Sequence, residues 1–137
     1  MVNLDYQAQL IARSILIGLH EEAERVENLA TKTLGVVQEN GVYAGILFLH
    51  TRSSIHDKRM APVFFGALLN YVSEYFEIAM PVPDTMARLH FVTEHVCAEL
   101  GRMILVKSVW EQALIYVRHG AKALKAEPPR QGPARNA

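Results

Sequence analysis

The segment VVQENGVYAGILFLHTRS, residues 36–53, decides the fold. An apolar helical pattern runs into Asn40 and Gly41, two residue types that tolerate the left-handed conformation at which helices end. The nine residues from Gly41 to Leu49 are almost all apolar, contain few β-branched side chains and show no two-residue alternation. They therefore predict a mostly buried helix over residues 42–51, and not a strand.

Amphipathic helices are also predicted before this segment. Apolar residues recur there every three or four positions, at Leu4, Ala8, Ile11, Ile15 and Leu19, and again at Ala23, Val26, Ala30, Leu34 and Val37. Glu21, Glu22 and Glu24 suit a first helical turn, where free N–H groups favour anions. We therefore place a break near residues 18–22, although the phase would also carry through one long helix.

A fourth helix is predicted after a polar loop, TRSSIHDKR, at residues 51–59. Pro62 fits the first turn of this helix, where its missing N–H is not needed. The apolar face would consist of Val63, Phe64, Ala67, Leu68, Tyr71, Val72 and Tyr75. Pro81 and Pro83 are expected to end the helix, because proline cannot continue it.

A long fifth helical stretch is predicted to follow Asp84, whose carboxylate can cap it, and to run to about Lys125. Because such a stretch is long for a globular helix, we expect a bend or break at Gly101 or Ser108. The residues after it contain proline, glycine and charge without apolar periodicity, so we predict that residues 126–137 form a disordered tail.

Length and composition fit one all-α domain, a single compact bundle of about five to six helices over residues 1–125. Half of the 137 residues are hydrophobic, and the one cysteine cannot form an intramolecular disulfide. The N-terminal residues lack the features of a signal peptide. The longest apolar run is less than half of the roughly 20 residues that span a membrane. We expect a cytoplasmic protein with no membrane partner.

The histidine, cysteine and carboxylate side chains form no recognisable catalytic or metal site. His90 and His95 are five residues apart, which places them roughly 140° apart around a helix, so they cannot share a ligand face. Cys97 lies on a predicted apolar face, which is typical of a structural cysteine. The sequence GVYAG lacks the lysine and the preceding strand of a phosphate-binding loop. We expect no enzymatic activity, no metal and no cofactor.

The basic residues are the stronger functional lead. Residues 102–137 hold seven basic residues against two acidic ones, whereas residues 1–40 hold three against six. Two groups of cations are candidates for nucleic-acid binding: Arg52, Lys58 and Arg59 around the predicted 51–59 loop, and Arg118, Lys122 and Lys125 on one face of the last helix. Such a row can follow a phosphate backbone. Alternatively, hydrated cations near a helix C-terminus only favour its dipole.

Two segments carry a resemblance to a known family. In LGVVQENGVYAGILFLHTRS, residues 34–53, a helix ends at Asn-Gly and an apolar helix follows, which ends near a basic residue. The matching positions are Val37, Asn40, Gly41, Val42, Ala44, Leu47, Phe48 and Leu49, with Arg52 near a basic position. In YVRHGAKAL, residues 116–124, an aromatic residue and Arg118 precede Ala-x-Ala. With the Gln- and Ala-rich DYQAQLIARSIL, residues 5–16, they resemble the small α-helical subunit of type III-B (Cmr) CRISPR effector complexes.

The resemblance implies a non-catalytic subunit. Members of the family stack beside the Cas7-like backbone subunits that hold the guide RNA, and they present basic residues to guide and target RNA. Expected partners are therefore both RNAs, the backbone and other effector-complex proteins, and neighbouring copies of this chain. Gly120 stands where the family usually has a bulky apolar residue, and His119 replaces a cation. These departures leave open a divergent subtype or the equivalent small subunit of type III-A.

A second functional hypothesis is a helical protein–protein adaptor without nucleic-acid binding. Its support is the number of aromatic residues in the fourth helix, which exceeds what one buried helix face requires. They are Phe64, Phe65, Tyr71, Tyr75 and Phe76. If some of these rings are exposed, they could dock a partner protein.

Overall fold

A computed structural model of the protein describes residues 3–127. It contains six α-helices: α1 (Leu4–Gly18), α2 (Ala23–Asn40), α3 (Val42–His50), α4 (Ile55–Phe76), α5 (Thr85–Val92) and α6 (Leu100–Ala126). A short 3₁₀-helix, His20–Glu22, precedes α2, and a turn of π-helix, Thr93–Cys97, follows α5. The described chain has no strand, so the prediction of an all-α bundle of five to six helices is confirmed. Most of the predicted tail, residues 128–137, lies outside the described residues.

The predicted boundaries of the first three helices are confirmed. The side chain of Asn3 caps α1 by accepting a hydrogen bond from the Tyr6 N–H, at 3.0 Å. The break near residues 18–22 falls at Leu19, where α1 ends and the 3₁₀-helix begins. Between α2 and α3, Gly41 has a φ of 97°, a conformation that favours glycine. Its N–H donates to the Val37 carbonyl and so ends α2.

The predicted loop at residues 51–59 is wrong in extent. Helix α4 already begins at Ile55, because the Ser54 hydroxyl caps it by accepting a hydrogen bond from the Asp57 N–H, at 3.1 Å. Pro62 consequently lies inside α4 and not in its first turn. Its ring is exposed, so water can reach the carbonyl that loses its helical donor.

The end of α4 is also earlier than predicted. The helix stops at Phe76, before Pro81 and Pro83, because Glu77 adopts the left-handed conformation with a φ of 55°. The Glu77 N–H donates to the Ser73 carbonyl. The prolines therefore lie in the connection to α5, and a local C-cap ends the helix before they are reached.

The predicted cap at Asp84 is confirmed, since its carboxylate accepts a hydrogen bond from the Ala87 N–H at 3.0 Å. The long stretch after it is divided, as expected, but the division lies just before Gly101. Glu99 has extended backbone angles, and its carboxylate accepts hydrogen bonds from the N–H groups of Gly101 and Arg102, both at 2.8 Å. Ser108 lies within the unbroken α6.

Helix α6 contacts α1, α2 and α4 in the centre of the bundle. It runs parallel to α1, since Leu4 lies near Val109 and Leu16 lies against Gly120. It runs antiparallel to α4, because Arg102, early in α6, lies over Phe76 at the end of α4, whereas the later Trp110 indole N–H donates to the Leu68 carbonyl at 3.2 Å. The Trp110 side chain is completely buried, which makes it the largest fully enclosed side chain of the described core.

Two glycines at helix contacts should respond differently to alanine. A Cβ at the buried Gly45 would lie 2.5 Å from the Val37 Cγ2, and the short valine side chain has no room to withdraw. We expect Gly45→Ala to lower the free energy of unfolding by about 1–3 kcal/mol. A Cβ at Gly120 would meet only the mobile end of Leu16, and alanine is the better helix former.

Gly120→Ala should therefore lie within about 1 kcal/mol of the wild type. Urea unfolding followed by circular dichroism measures both changes. Equal stabilities for the two variants would contradict the close packing of α3 on α2.

Candidate functional site

Arg59, one of the predicted RNA-binding residues, forms an ion pair. Its two terminal guanidinium nitrogens donate to the two carboxylate oxygens of Glu22, the residue just before α2. Arg25 lies 4.0 Å from the same carboxylate. The hydrogen bonds from Arg59 lower the pKa of Glu22, although partial desolvation opposes the shift. A phosphate would have to replace this carboxylate in order to reach the Arg59 guanidinium.

Lys122 and Lys125 share the carboxylate of Glu27, which lies on α2. The Glu27 side chain lies 2.6 Å from the Lys125 Nζ and 3.8 Å from the Lys122 Nζ. The hydrogen bond from Lys125 lowers the pKa of Glu27, and the charges of Lys122 and Arg118 act in the same direction. The three predicted cations of α6 thus do lie together, but around an anion that partly neutralises them.

Lys58 and Arg118 remain without a carboxylate partner in residues 3–127. Lys58 is exposed in the first turns of α4, and Arg118 is half-buried on α6. Both can therefore add positive charge at the surface. Neither is held by an interaction that fixes its orientation within the described part of the chain.

Arg52 lies at the C-terminal end of α3. Its Nε donates to the Phe48 carbonyl at 3.0 Å, and its Cζ lies 3.6 Å from the centre of the Phe48 ring. The guanidinium therefore satisfies a helix C-terminus and stacks on a ring. It forms no ion pair with a carboxylate in the described chain, and its terminal nitrogens keep N–H groups for an anion.

Arg88, on α5, was not predicted as a site residue, and it lies beside the same end of α3. Its Nη1 is 3.3 Å from the His50 Nε2, and its Cζ is 4.6 Å from the centre of the Phe65 ring. The His50 ring stacks on Phe65 at 4.2 Å, and its Nδ1 lies 2.8 Å from the Ile46 carbonyl. A neutral imidazole with its proton on Nδ1 satisfies both contacts, and its Nε2 then accepts from Arg88.

Arg102, on α6, also lies over a phenylalanine ring of α4, further along that helix. Its Nη1 donates to the His95 carbonyl at 3.1 Å, and its Cζ lies 4.2 Å from the centre of the Phe76 ring. Phe65 and Phe76 are eleven residues apart, which places them on the same side of α4 and about 16 Å apart along its axis. Arg88 and Arg102 are therefore held at two levels of one helix face.

We call Arg52, Arg88 and Arg102 the stacked arginines. All three are half-buried, each lies over a phenylalanine ring, and none pairs with a carboxylate within residues 3–127. Partial burial raises the strength of a guanidinium–anion contact, and the stacked ring restricts the orientation of the guanidinium. Such side chains are suited to bind phosphate or carboxylate groups.

The aromatic residues that supported the adaptor hypothesis are not exposed. Phe64, Phe65 and Tyr71 are buried, and Tyr75 and Phe76 are half-buried against the core. The expectation of an exposed aromatic surface on α4 is therefore wrong. The helix carries many rings because it packs against α1, α2, α3 and α6, and because two of the rings support the stacked arginines.

Within the described residues, no group of three or more histidine, cysteine, aspartate or glutamate side chains could hold a metal ion. Cys97 is half-buried, and burial raises the pKa of its thiol. None of the helices in the described chain has both the length and the apolar character that a membrane span requires.

Comparison with known proteins gave no match to a family model, to a curated protein or to a solved structure.

Proposed function

We propose that this chain is a non-catalytic small subunit of a type III CRISPR effector complex that contacts guide or target RNA. The resemblance in residues 34–53 and 116–124 supports type III-B, with the type III-A subunit as the alternative. The six-helix bundle is compatible with both. The observation that carries the RNA contact is the set of stacked arginines, which have no carboxylate partner in residues 3–127.

The stacked arginines favour contact with phosphates over contact with bases. The guanidinium groups already lie over the phenylalanine rings, and His50 stacks on Phe65 as well. The N–H groups that do not already contact the Phe48 carbonyl, the His50 ring or the His95 carbonyl are left for an anion. Contacts of this type position an RNA backbone without reading its sequence, as a subunit that accompanies many different guides requires.

The ion-paired cations should contribute less. Arg59, Lys122 and Lys125 can bind a phosphate only in competition with Glu22 or Glu27. In the complex, we place the stacked arginines, Lys58 and Arg118 towards RNA. The Cas7-like backbone subunits and neighbouring copies of the chain would occupy other surfaces.

A matched pair of double variants tests this assignment. Arg52→Ala/Arg88→Ala and Lys122→Ala/Lys125→Ala each remove two positive charges, but only the first pair lacks carboxylate partners in the described chain. We expect the arginine variant to bind a labelled single-stranded RNA at least about tenfold more weakly in low salt. The slope of the logarithm of its binding constant against the logarithm of the salt concentration should become shallower by about 0.7 per lost phosphate contact. The lysine variant should change both quantities much less.

Fluorescence anisotropy at several salt concentrations gives both quantities, and circular dichroism confirms that the variants fold. Equal losses in the two variants would show that only net charge matters and would remove the stacked arginines from the proposal. A wild-type chain that does not bind RNA in low salt would contradict the proposed RNA contact.

A further inference from the structure

Helix α1 carries a second apolar surface that nothing covers in the described chain. Tyr6, Leu10 and Ile17 are 52%, 41% and 65% exposed, and Arg13 is exposed between them. These four residues follow a four–three–four spacing, so they lie within about 60° of one another around the helix. We call them the α1 stripe.

The α1 stripe lies opposite the side of α1 that packs into the core. Ala8, Ile11, Ala12 and Ile15 are buried on that inner side. The helix is thus apolar on two sides, although only one of them contacts the bundle. An exposed apolar strip about 16 Å long on a helix with a complete buried face indicates a binding surface for a partner.

Two grooves run along the flanks of the α1 stripe. One is a cavity of about 300 Å³ between α1 and α4, with Leu10 and Met80 at its apolar edge. The other lies between α1 and α6 and is almost entirely apolar, with Leu16, Ile17 and Leu124 in its walls. The stripe is therefore a ridge with a depression on each side, which suits the interlocking of a second helix.

Arg13 decides which partner fits. It forms no ion pair within residues 3–127, and a partner that buries the stripe must supply it with a carboxylate. A second copy in parallel orientation would place Arg13 against Arg13. An antiparallel copy would pair Tyr6 with Ile17 and Arg13 with Leu10, which brings the two arginines within about one turn of each other. In both arrangements Arg13 meets a like charge and no carboxylate.

The composition of the chain's own C-terminal residues also makes them unsuitable as the occupant of the α1 stripe. Residues 128–137 include no aspartate, no glutamate and no large apolar residue. They can neither fill the apolar positions of the stripe nor neutralise Arg13.

We propose that the α1 stripe is a docking site for an amphipathic helix of a different protein. That helix has large apolar residues at four–three–four spacing and a carboxylate opposite Arg13. The proposal concerns other residues than the RNA contact and does not depend on it.

Two synthetic helical peptides test the site. Both carry leucines at the four–three–four spacing. One has a glutamate at the position that would face Arg13, and the other has a lysine at that same position. We expect the glutamate peptide to bind the full chain about tenfold more tightly than the lysine peptide, because Arg13 attracts the carboxylate and repels the ammonium group. Arg13→Glu should reverse the preference.

A matched variant separates the stripe from exposed apolar residues in general. Ile17→Ser should weaken binding of the glutamate peptide about tenfold, whereas Ile104→Ser should not. Ile104 is a fair control, since it is 58% exposed, but it lies on α6 outside the stripe. Ile17→Ser should also leave RNA affinity unchanged, and Arg52→Ala/Arg88→Ala should leave peptide affinity unchanged, so the two proposals fail separately.

Three results would overturn the docking site. The first is failure of the glutamate peptide to bind, or equal binding of the two peptides. The second is self-association in sedimentation that Ile17→Ser abolishes, since a second copy would then be the occupant. The third is tighter peptide binding after deletion of residues 128–137, which would make the chain's own C-terminal residues the occupant.

Discussion

Trp110→Ala should lower the free energy of unfolding by about 3–5 kcal/mol, a large share of the stability of a domain of this size. The Trp110 side chain is fully buried on the central helix, so its removal leaves a large cavity. It also removes the indole N–H that donates to the Leu68 carbonyl. Because α6 contacts α1, α2 and α4, the cavity weakens the packing of most of the bundle.

Urea unfolding followed by far-UV circular dichroism measures this change. Trp110→Phe is the control, since phenylalanine keeps an aromatic ring in the core but cannot donate to Leu68. We expect this variant to lose less than half as much stability as Trp110→Ala. A Trp110→Ala protein as stable as the phenylalanine variant would contradict the central position of this side chain.

Tyr71→Phe should have the opposite effect and raise the free energy of unfolding by about 1–3 kcal/mol. The Tyr71 side chain is 5% exposed, and its hydroxyl has no hydrogen-bond partner in the described chain. In the unfolded chain the hydroxyl is hydrated, so folding loses those hydrogen bonds without replacement. Phenylalanine fills nearly the same space without a polar atom.

The pH dependence of stability provides a second measurement. Burial raises the pKa of Tyr71 to about 12. Between the ordinary pKa of tyrosine, about 10, and this value, the unfolded chain loses the proton first. The stability of the wild type should therefore fall as the pH rises from about 10 to 12.

Tyr71→Phe should lack this part of the fall, whereas Tyr43→Phe should keep it, because Tyr43 is 39% exposed. Unfolding in urea at several pH values gives the comparison. A Tyr71→Phe protein less stable than the wild type at neutral pH would mean that the hydroxyl has a partner, such as a buried water.

The sequence correctly predicted those helix boundaries that are set by residues close to the boundary itself. Asn40 and Gly41 end α2, and Asp84 caps α5, because in each case the residues that decide the boundary lie within one turn of it. The start of α4 was missed for a different reason. The Ser54 cap was not recognised, and Pro62 was given a position at which proline is usual, although an exposed site further along the helix also accepts it.

The candidate site could be predicted only in part, because its decisive contacts join distant segments. Arg59 and Glu22 are 37 positions apart, and Arg88 and His50 are 38 apart. Charge spacing along the chain identifies cations that share a helix face, as for the α6 cations. It does not show which carboxylate of another helix will neutralise them, nor that a lone arginine such as Arg88 will lie over a ring.

The burial of Trp110 gives the protein an internal reporter. It is the only tryptophan of the chain, so the intrinsic fluorescence of the folded protein comes almost entirely from the middle of the bundle. A surface variant with unchanged emission has kept its interior intact. Any binding that such a variant loses can then be assigned to the substituted surface, without a label or a second spectroscopic probe.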